Sequence, residues 1–413
     1  MKKMFFPLLF AGLVSSCQNH TAKYLTVDVV NTLDANRSNE TVEVPWSLVQ
    51  ERIGEVNPQE LAVFNEIGQR LQVQALYKGQ PQPQSVIFQV EVPAQGSATY
   101  EIMMEFDKQI AAEVGRLLGH YKKTAARLVP ERMDDFAWEN NRIAYRIYGP
   151  ALMKVDGPSN GIDVWCKRTE DLVVDKWYAA DLSGKASYHQ DHGEGLDGYK
   201  VGRTLGCGAL APYVNGQLAL GNNFVTSKIV DSGPIRTSFE LTYAPLDVAG
   251  TPVVEVRRIS LDANSQLNCI SAMFINAGDM EVAAGIVLKN NKIPATVATA
   301  DPAYKPLLAP DKGYVTYAEQ ADALSTDTTN NGVIHTAIIF PPSVMSNAKL
   351  EGNHLLATGS YKANEPFTYY SGAGWSKAIT QEGALRFPTE ALWQEYVAFE
   401  AQKLSNPLEL KFK

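Results

Sequence analysis

Apolar residues along most of this chain recur at every second position, in short runs closed by Asn, Gly or Pro, a pattern that fits strands and not helices. Between residues 23 and 105 the runs YLTVDVVNTL, ETVEVPW, LQVQALYKG and SVIFQVEV alternate or are rich in β-branched residues. KGQPQPQS (78–85) is a turn or exposed loop, and only PQELAVFNEIG has the look of a short helical turn. Residues 23–105 are therefore expected to form a small β-sandwich. From about 141 to 413 the strands lengthen, as in IRTSFELTYAPL, VVEVRRISLD, LNCISAMFINA and GVIHTAIIFPP. They predict a large antiparallel two-sheet sandwich. The stretch between them places Ile110, Val114, Leu117 and Leu118 at helical spacing, which predicts a helical linker over 106–140. A second helix is expected in PTEALWQEYVAFEAQKLS, with Thr389 as N-cap and Glu390 in its first turn, followed by a last strand. The expected class is mainly β with few helices.

The first residues carry an address. MKKMFFPLLFAGLVSSC sets two lysines before an apolar run and small residues before Cys17, the layout of a secretory signal. The run is too short to span a bilayer, and Leu13–Cys17 resembles a bacterial lipobox. Residues 1–16 are expected to be a signal peptide, Cys17 the lipidated first residue, and 17–22 a tether. Gln18, with no acidic run after it, suggests an outer-membrane lipoprotein, the periplasmic face being preferred. The other cysteines, Cys166, Cys207 and Cys269, suit three small buried residues better than a disulfide framework. The net charge of −8 gives a nucleic-acid role no electrostatic support.

The chemistry concentrates in YHQDHGEGLDGYKVGRTLGCG, residues 188–208, which holds two of the six histidines. His189-x-x-His192-x-Glu194 offers donors to a transition metal, and Asp191, Glu194 and Asp197 offer oxygens to calcium. The glycines at 193, 195 and 198 forbid the helix that would put both imidazoles on one face, so a divalent metal is not favoured and no cofactor is expected. An acid/base site fits better. Histidine titrates near neutrality, carboxylates such as Glu194 and Asp197 orient it, and tyrosines beside cations (Tyr188, or Tyr199 with Lys200 and Arg203) can give or take a proton. Upstream, WENNRIAYRIYGPAL gathers Arg142, Tyr145 and Arg146; on a strand the two arginines share a face, suited to a carboxylate, while Tyr145 points away. Among the aromatics, Trp375, set between glycine and serine, is expected to be exposed and able to stack on a sugar. No nucleophile elbow, Walker loop or dinucleotide fingerprint is present.

RIAYRIYGPAL, GIDVWCKR, the 188–208 block, GPIRTSFELTY and PFTYYSGAGWSKA together resemble a secreted domain-of-unknown-function family found in polysaccharide-utilisation loci of glycan-degrading bacteria. That family resembles the galactose-mutarotase-like supersandwich enzymes, which include polysaccharide lyases and uronate dehydratases. The resemblance implies an oligosaccharide partner and β-elimination or dehydration at a uronic acid. A base would take the C5 proton, an acid would protonate the leaving oxygen, and a cation would hold the carboxylate. His189 or His192 and Tyr188 or Tyr199 would share the first two roles, and Glu194 or Asp197 would orient a histidine. Arg142, Arg146 or Arg203 would bind the carboxylate, with Trp375 stacking on the ring. A hydrolase or mutarotase on the same fold, or a non-catalytic glycan-binding lipoprotein, remains open.

Overall fold

The structure, a computed structural model, describes residues 23–105, 122–288, 305–322, 330–341 and 343–413. The signal peptide, Cys17, the tether and residues 106–121 of the expected linker lie outside these described residues.

The alternation in YLTVDVV is realised directly: Leu25, Val27 and Val29 are buried and their neighbours are not. That strand lies inside a five-stranded sheet, between Ser97–Met104 and the C-terminal strand Glu409–Phe412. A three-stranded sheet of Arg37–Pro45, Ser85–Val92 and Val73–Leu76 completes the small sandwich. Its core takes in Trp46, Val49 and Ile53 from the helix Trp46–Ile53. The small sandwich is thus closed by the end of the chain, and the large unit does not run to residue 413.

The large unit has two layers. One is a nine-stranded sheet that includes Arg236–Tyr243, Thr251–Asp262, Leu267–Ile275, Phe367–Trp375 and Val333–Ile339. The other consists of two five-stranded sheets that meet where Ile162 and Gly206 form a parallel bridge. A single apolar core between the layers draws on all three sheets. The mainly β architecture is the one expected. Residues 124–140 depart from the expected helical linker: apart from the single 3-10 turn Pro130–Arg132 they form the antiparallel pair Thr124–Val129 and Asp135–Asn140. Phe136 and Trp138, two apart, reach the core on one face and pack at a tilt against Phe239, with ring centroids 4.3 and 4.9 Å away. The intervening Pro130 and a left-handed turn at Met133 and Asp134 are incompatible with a continuous helix.

The C-terminal helix Glu390–Ser405 begins as the sequence predicts, with the Thr389 side chain accepting a hydrogen bond from the Leu392 amide. It covers one end of the nine-stranded sheet with Trp393, Val397 and Ala401.

Two histidines belong to the core. His354 accepts from the Leu205 amide at 3.1 Å, and His335 bonds the Phe387 carbonyl at 3.2 Å. Burial pushes each down from the ordinary 6.5 to about 4. Below pH 6.5 the unfolded chain therefore binds protons that the fold refuses, and stability falls as pH drops from 6.5 towards 4. Each imidazole accounts for about 2 kcal/mol of loss at pH 5. A His354→Gln variant, which keeps an acceptor for Leu205, should lose about 2 kcal/mol less than the parent between pH 7 and pH 5 in urea unfolding. Equal losses would show that His354 is not held neutral.

Candidate functional site

The five-stranded sheet of Thr124–Val129, Asp135–Asn140, Ile143–Ile147, Ile162–Lys167 and Gly195–Asp197 positions the site. Three of its strands set charged side chains on one face, at positions an even number of residues apart: Asp135 and Glu139, Arg146, and Asp163 and Lys167. They share the outer face, while Phe136, Tyr145, Val164 and Cys166 fill the core. The helix Val174–Leu182 and the 183–199 segment cover that outer face with Trp177, Tyr178 and Tyr188.

Arg146 is the hub. It stands directly opposite Asp163 in the strand register, and its Nε and Nη2 donate to Asp163 Oδ2 at 2.9 and 2.6 Å. Nη2 also donates to Asp197 Oδ2 at 2.7 Å, and Nη1 lies 3.7 Å from Asp135 Oδ2. The rings of Tyr148, Trp165 and Tyr188 surround the guanidinium at 5.0, 5.2 and 5.5 Å. Burial raises Asp135, Asp163 and Asp197 above the ordinary carboxyl range, Asp197 the furthest, and the charge of Asp163 adds to the effect on Asp197. The carboxyl pair Asp163/Asp197 therefore holds a proton more firmly than exposed carboxylates do.

Two groups of opposite exposure lie over this cluster, the buried Tyr188 and the half-exposed His189. Tyr188 packs on Trp165 at 4.8 Å, and its hydroxyl accepts from Arg146 Nη1 and Arg132 Nε, both at 3.3 Å. With two guanidiniums occupying the oxygen lone pairs, the phenolic proton points elsewhere. His189 lies against Tyr188 with ring centroids 4.6 Å apart. Its Nδ1 is 3.2 Å from the Asp197 carbonyl and 3.5 Å from Asp197 Oδ2. A carbonyl oxygen only accepts, so Nδ1 carries a hydrogen, and in the neutral imidazole the lone pair is on Nε2. The imidazole is 43 % exposed, the half-open position a proton acceptor needs.

The other expected residues are placed differently. His192 is exposed and bonds the Ser187 carbonyl at 3.1 Å, so the two histidines do not converge. Glu194 meets neither histidine; it pairs with Lys176 at 2.6 Å and accepts from Trp177 Nε1 at 3.3 Å, and Lys176 holds its carboxyl below the usual range. Asp191 shapes the loop by accepting from the Gly193 and Gly195 amides. Among the described residues no group of three or more His, Cys, Asp or Glu is arranged to hold a metal ion. Tyr199 is buried in the core with its hydroxyl unpartnered, and burial lifts its pKa far above the phenol range, opposite to what an acid/base role requires. Tyr145 is likewise a core residue, donating to the Gln266 carbonyl at 2.6 Å. Arg203 spends its fork on the Leu220 and Gly221 carbonyls. Arg142 does not join Arg146: it pairs with Glu170 and Asn264 at the far end of the strand, roughly 13 Å away at 3.3 Å per residue. Trp375, expected at the surface, is 1 % exposed, donates to the Asn331 carbonyl at 2.8 Å and lies under Arg168 at 5.2 Å.

Sequence reasoning missed Arg132, Asp135 and Asp163. Asp163 was legible: Asp163, Trp165 and Lys167 alternate with Ile162, Val164 and Cys166, which marks a strand with one polar buried face. Arg132 was hidden inside the segment expected to be helical.

Mainly β layers, and a histidine-bearing loop set over a buried ion cluster, define the class: a double-sandwich protein with a half-exposed histidine against a buried tyrosine at the rim of one sheet. The chain belongs to the family described as Domain of unknown function (DUF4861), whose model matches residues 29–410. It is 29% identical over 426 residues to "Uncharacterized protein P7" of Formosa agariphila, covering 99% of both chains. Among solved structures it is similar to an alpha-mannosidase from Enterococcus faecalis V583, at 10% identity and a TM-score of 0.46, over 94% of this chain and 46% of that one. A glycosyl hydrolase family 38 protein from Enterococcus faecalis gives the same TM-score and identity over 47% of its length. The chain spans about half the length of these two structures.

Proposed function

We propose that this chain acts on a uronic acid in an oligosaccharide, by proton abstraction at C5 and expulsion of the oxygen substituent at C4. The observation that carries the reading is the half-exposed His189, its Nδ1–H fixed by the Asp197 carbonyl and its Nε2 without a partner among the described residues, packed at a tilt against a tyrosine whose hydroxyl already accepts from two guanidiniums. Nε2 of His189 takes the C5 proton. The electron pair of that C–H bond forms the C4–C5 double bond as the C4–O bond breaks, and the departing oxygen takes the Tyr188 proton. Arg132 is half-buried beside Tyr188 and offers the rest of its guanidinium to the carboxylate, where charge develops. Burial alone would lower the Arg132 pKa, but Tyr188 and Asp135 beside it outweigh that and keep it firmly charged. Asp197 positions the imidazole, and Arg146 holds Asp197 in place.

In this reading Cys17 anchors the protein to the outer membrane, with the periplasmic face preferred. The test is incubation of the purified chain with a panel of uronate-containing oligosaccharides while following the ultraviolet absorbance of an unsaturated uronate. Rising absorbance with at least one member supports the reading. If no member gives absorbance or any mass change while the glycan still binds, the protein is a binding module and the chemistry is withdrawn.

A further inference from the structure

The small sandwich and the large unit enclose a crevice of about 790 Å³ that none of the His189 cluster lines. Its volume falls in the range of small-molecule sites, which favour domain interfaces. The strand Arg37–Pro45, the nine-stranded sheet and the helix Glu390–Ser405 supply the walls, with Tyr370 and Tyr396 as aromatic surface. Most of its charges are already matched. Arg37 pairs with Glu40, Arg236 with Asp262, and Lys403 with Glu400. Arg386 is different: among the described residues its guanidinium has no hydrogen-bond or ion-pair partner, and it faces the crevice beside Arg142. Arg142 Nε, in the same wall, is buried with no partner. Lys123 adds a third cation near Arg142; of the acids near this end, Glu170 is already paired with Arg142 and Glu382 is solvent-exposed. Burial first, and then the neighbouring Arg142 charge, lower the pKa of Arg386 below the arginine range. Such a guanidinium gains from an anion.

We infer that the Arg386–Arg142 end of the crevice binds the anionic group, carboxylate or sulfate ester, of an acidic sugar, at a site separate from the His189 cluster. That the anion is borne by a sugar rests on the function proposed above; the capture of an anion does not. Planar guanidiniums bind either group through paired N–H donors, and the two tyrosines offer faces for the ring.

The full chain is titrated calorimetrically with uronate-bearing oligosaccharides and their carboxyl-reduced counterparts, and with sulfated oligosaccharides and their desulfated counterparts. One acidic series should bind roughly ten- to a hundredfold more tightly than its neutral counterpart. Arg386→Gln and Arg386→Glu should abolish that preference and leave the neutral affinities unchanged, while Arg386→Lys should retain part of it. Which series shows the preference separates carboxylate from sulfate ester. Loss of the preference in Arg386→Gln supports the inference even when no elimination product forms, and an active enzyme without such a preference overturns it. Equal binding of acidic and neutral sugars, no binding by either acidic series, or a preference that survives Arg386→Gln also overturns it.

Discussion

Replacing Arg146 with methionine should cost the fold about 3–5 kcal/mol at pH 7, the range for removing one partner of a buried ion cluster. The cause is not the lost hydrogen bonds themselves. Asp135, Asp163 and Asp197 would remain under Trp165, Tyr178 and Tyr188 without the guanidinium that bridges them. Their protonation sets the sign with pH. Arg146 pulls the three carboxyls down against burial, so without it their folded pKa values rise further and the folded variant binds more protons than the parent. The variant therefore regains stability relative to the parent as pH falls. Urea unfolding at pH 7 and pH 5 should show a wide gap that narrows, with Arg146→Lys in between, since an ammonium cannot bridge two carboxylates as a fork does. A gap of the same width at both values would mean that the carboxyls are not what Arg146 stabilises.

His189→Ala should lower turnover of an acidic oligosaccharide by about 10²–10⁴-fold, the usual contribution of a positioned base, and leave unfolding within about 0.5 kcal/mol, since the ring is half in solvent. His192→Ala should leave turnover unchanged, because that imidazole is exposed and, among the described residues, hydrogen-bonds the Ser187 carbonyl rather than the Arg146 cluster. If the two variants behave alike, the division of the His-x-x-His pair made by the fold has no bearing on the chemistry.

Period-two patterning carried the architecture, and in Leu25, Val27 and Val29 it named the buried side of a strand outright. The Thr389 cap and the strand after its helix were legible for the same local reasons. What local pattern cannot encode is partner choice. Arg142 and Arg146 share a motif, yet Arg146 meets Asp163 through strand register, while Arg142 sits at the turn that opens its strand and reaches Glu170 and Asn264. The glycines beside Trp375 suggested an open surface, but they mark close packing. A Cβ on Gly372 would lie 2.0 Å from the Gln266 carbonyl oxygen, and one on Gly374 would lie 2.8 Å from the rings of Phe387 and Trp393. Gly195 behaves alike in the histidine block: its backbone has φ +127°, and a Cβ there would stand 1.9 Å from the Cys166 carbonyl oxygen. Tyr199 and Glu194 were plausible reacting groups by type. The core claims the first, and the helix Val174–Leu182 claims the second through Lys176 and Trp177.

The central claim, elimination driven by His189, is tested most directly by weighing the products formed from a uronate oligosaccharide. Elimination moves a proton and breaks a C–O bond without consuming water. The product masses should therefore sum to the mass of the substrate, counting any water expelled, and the new species should vanish with His189→Ala. Products whose masses sum to the substrate plus one water would contradict the account and make the protein a hydrolase.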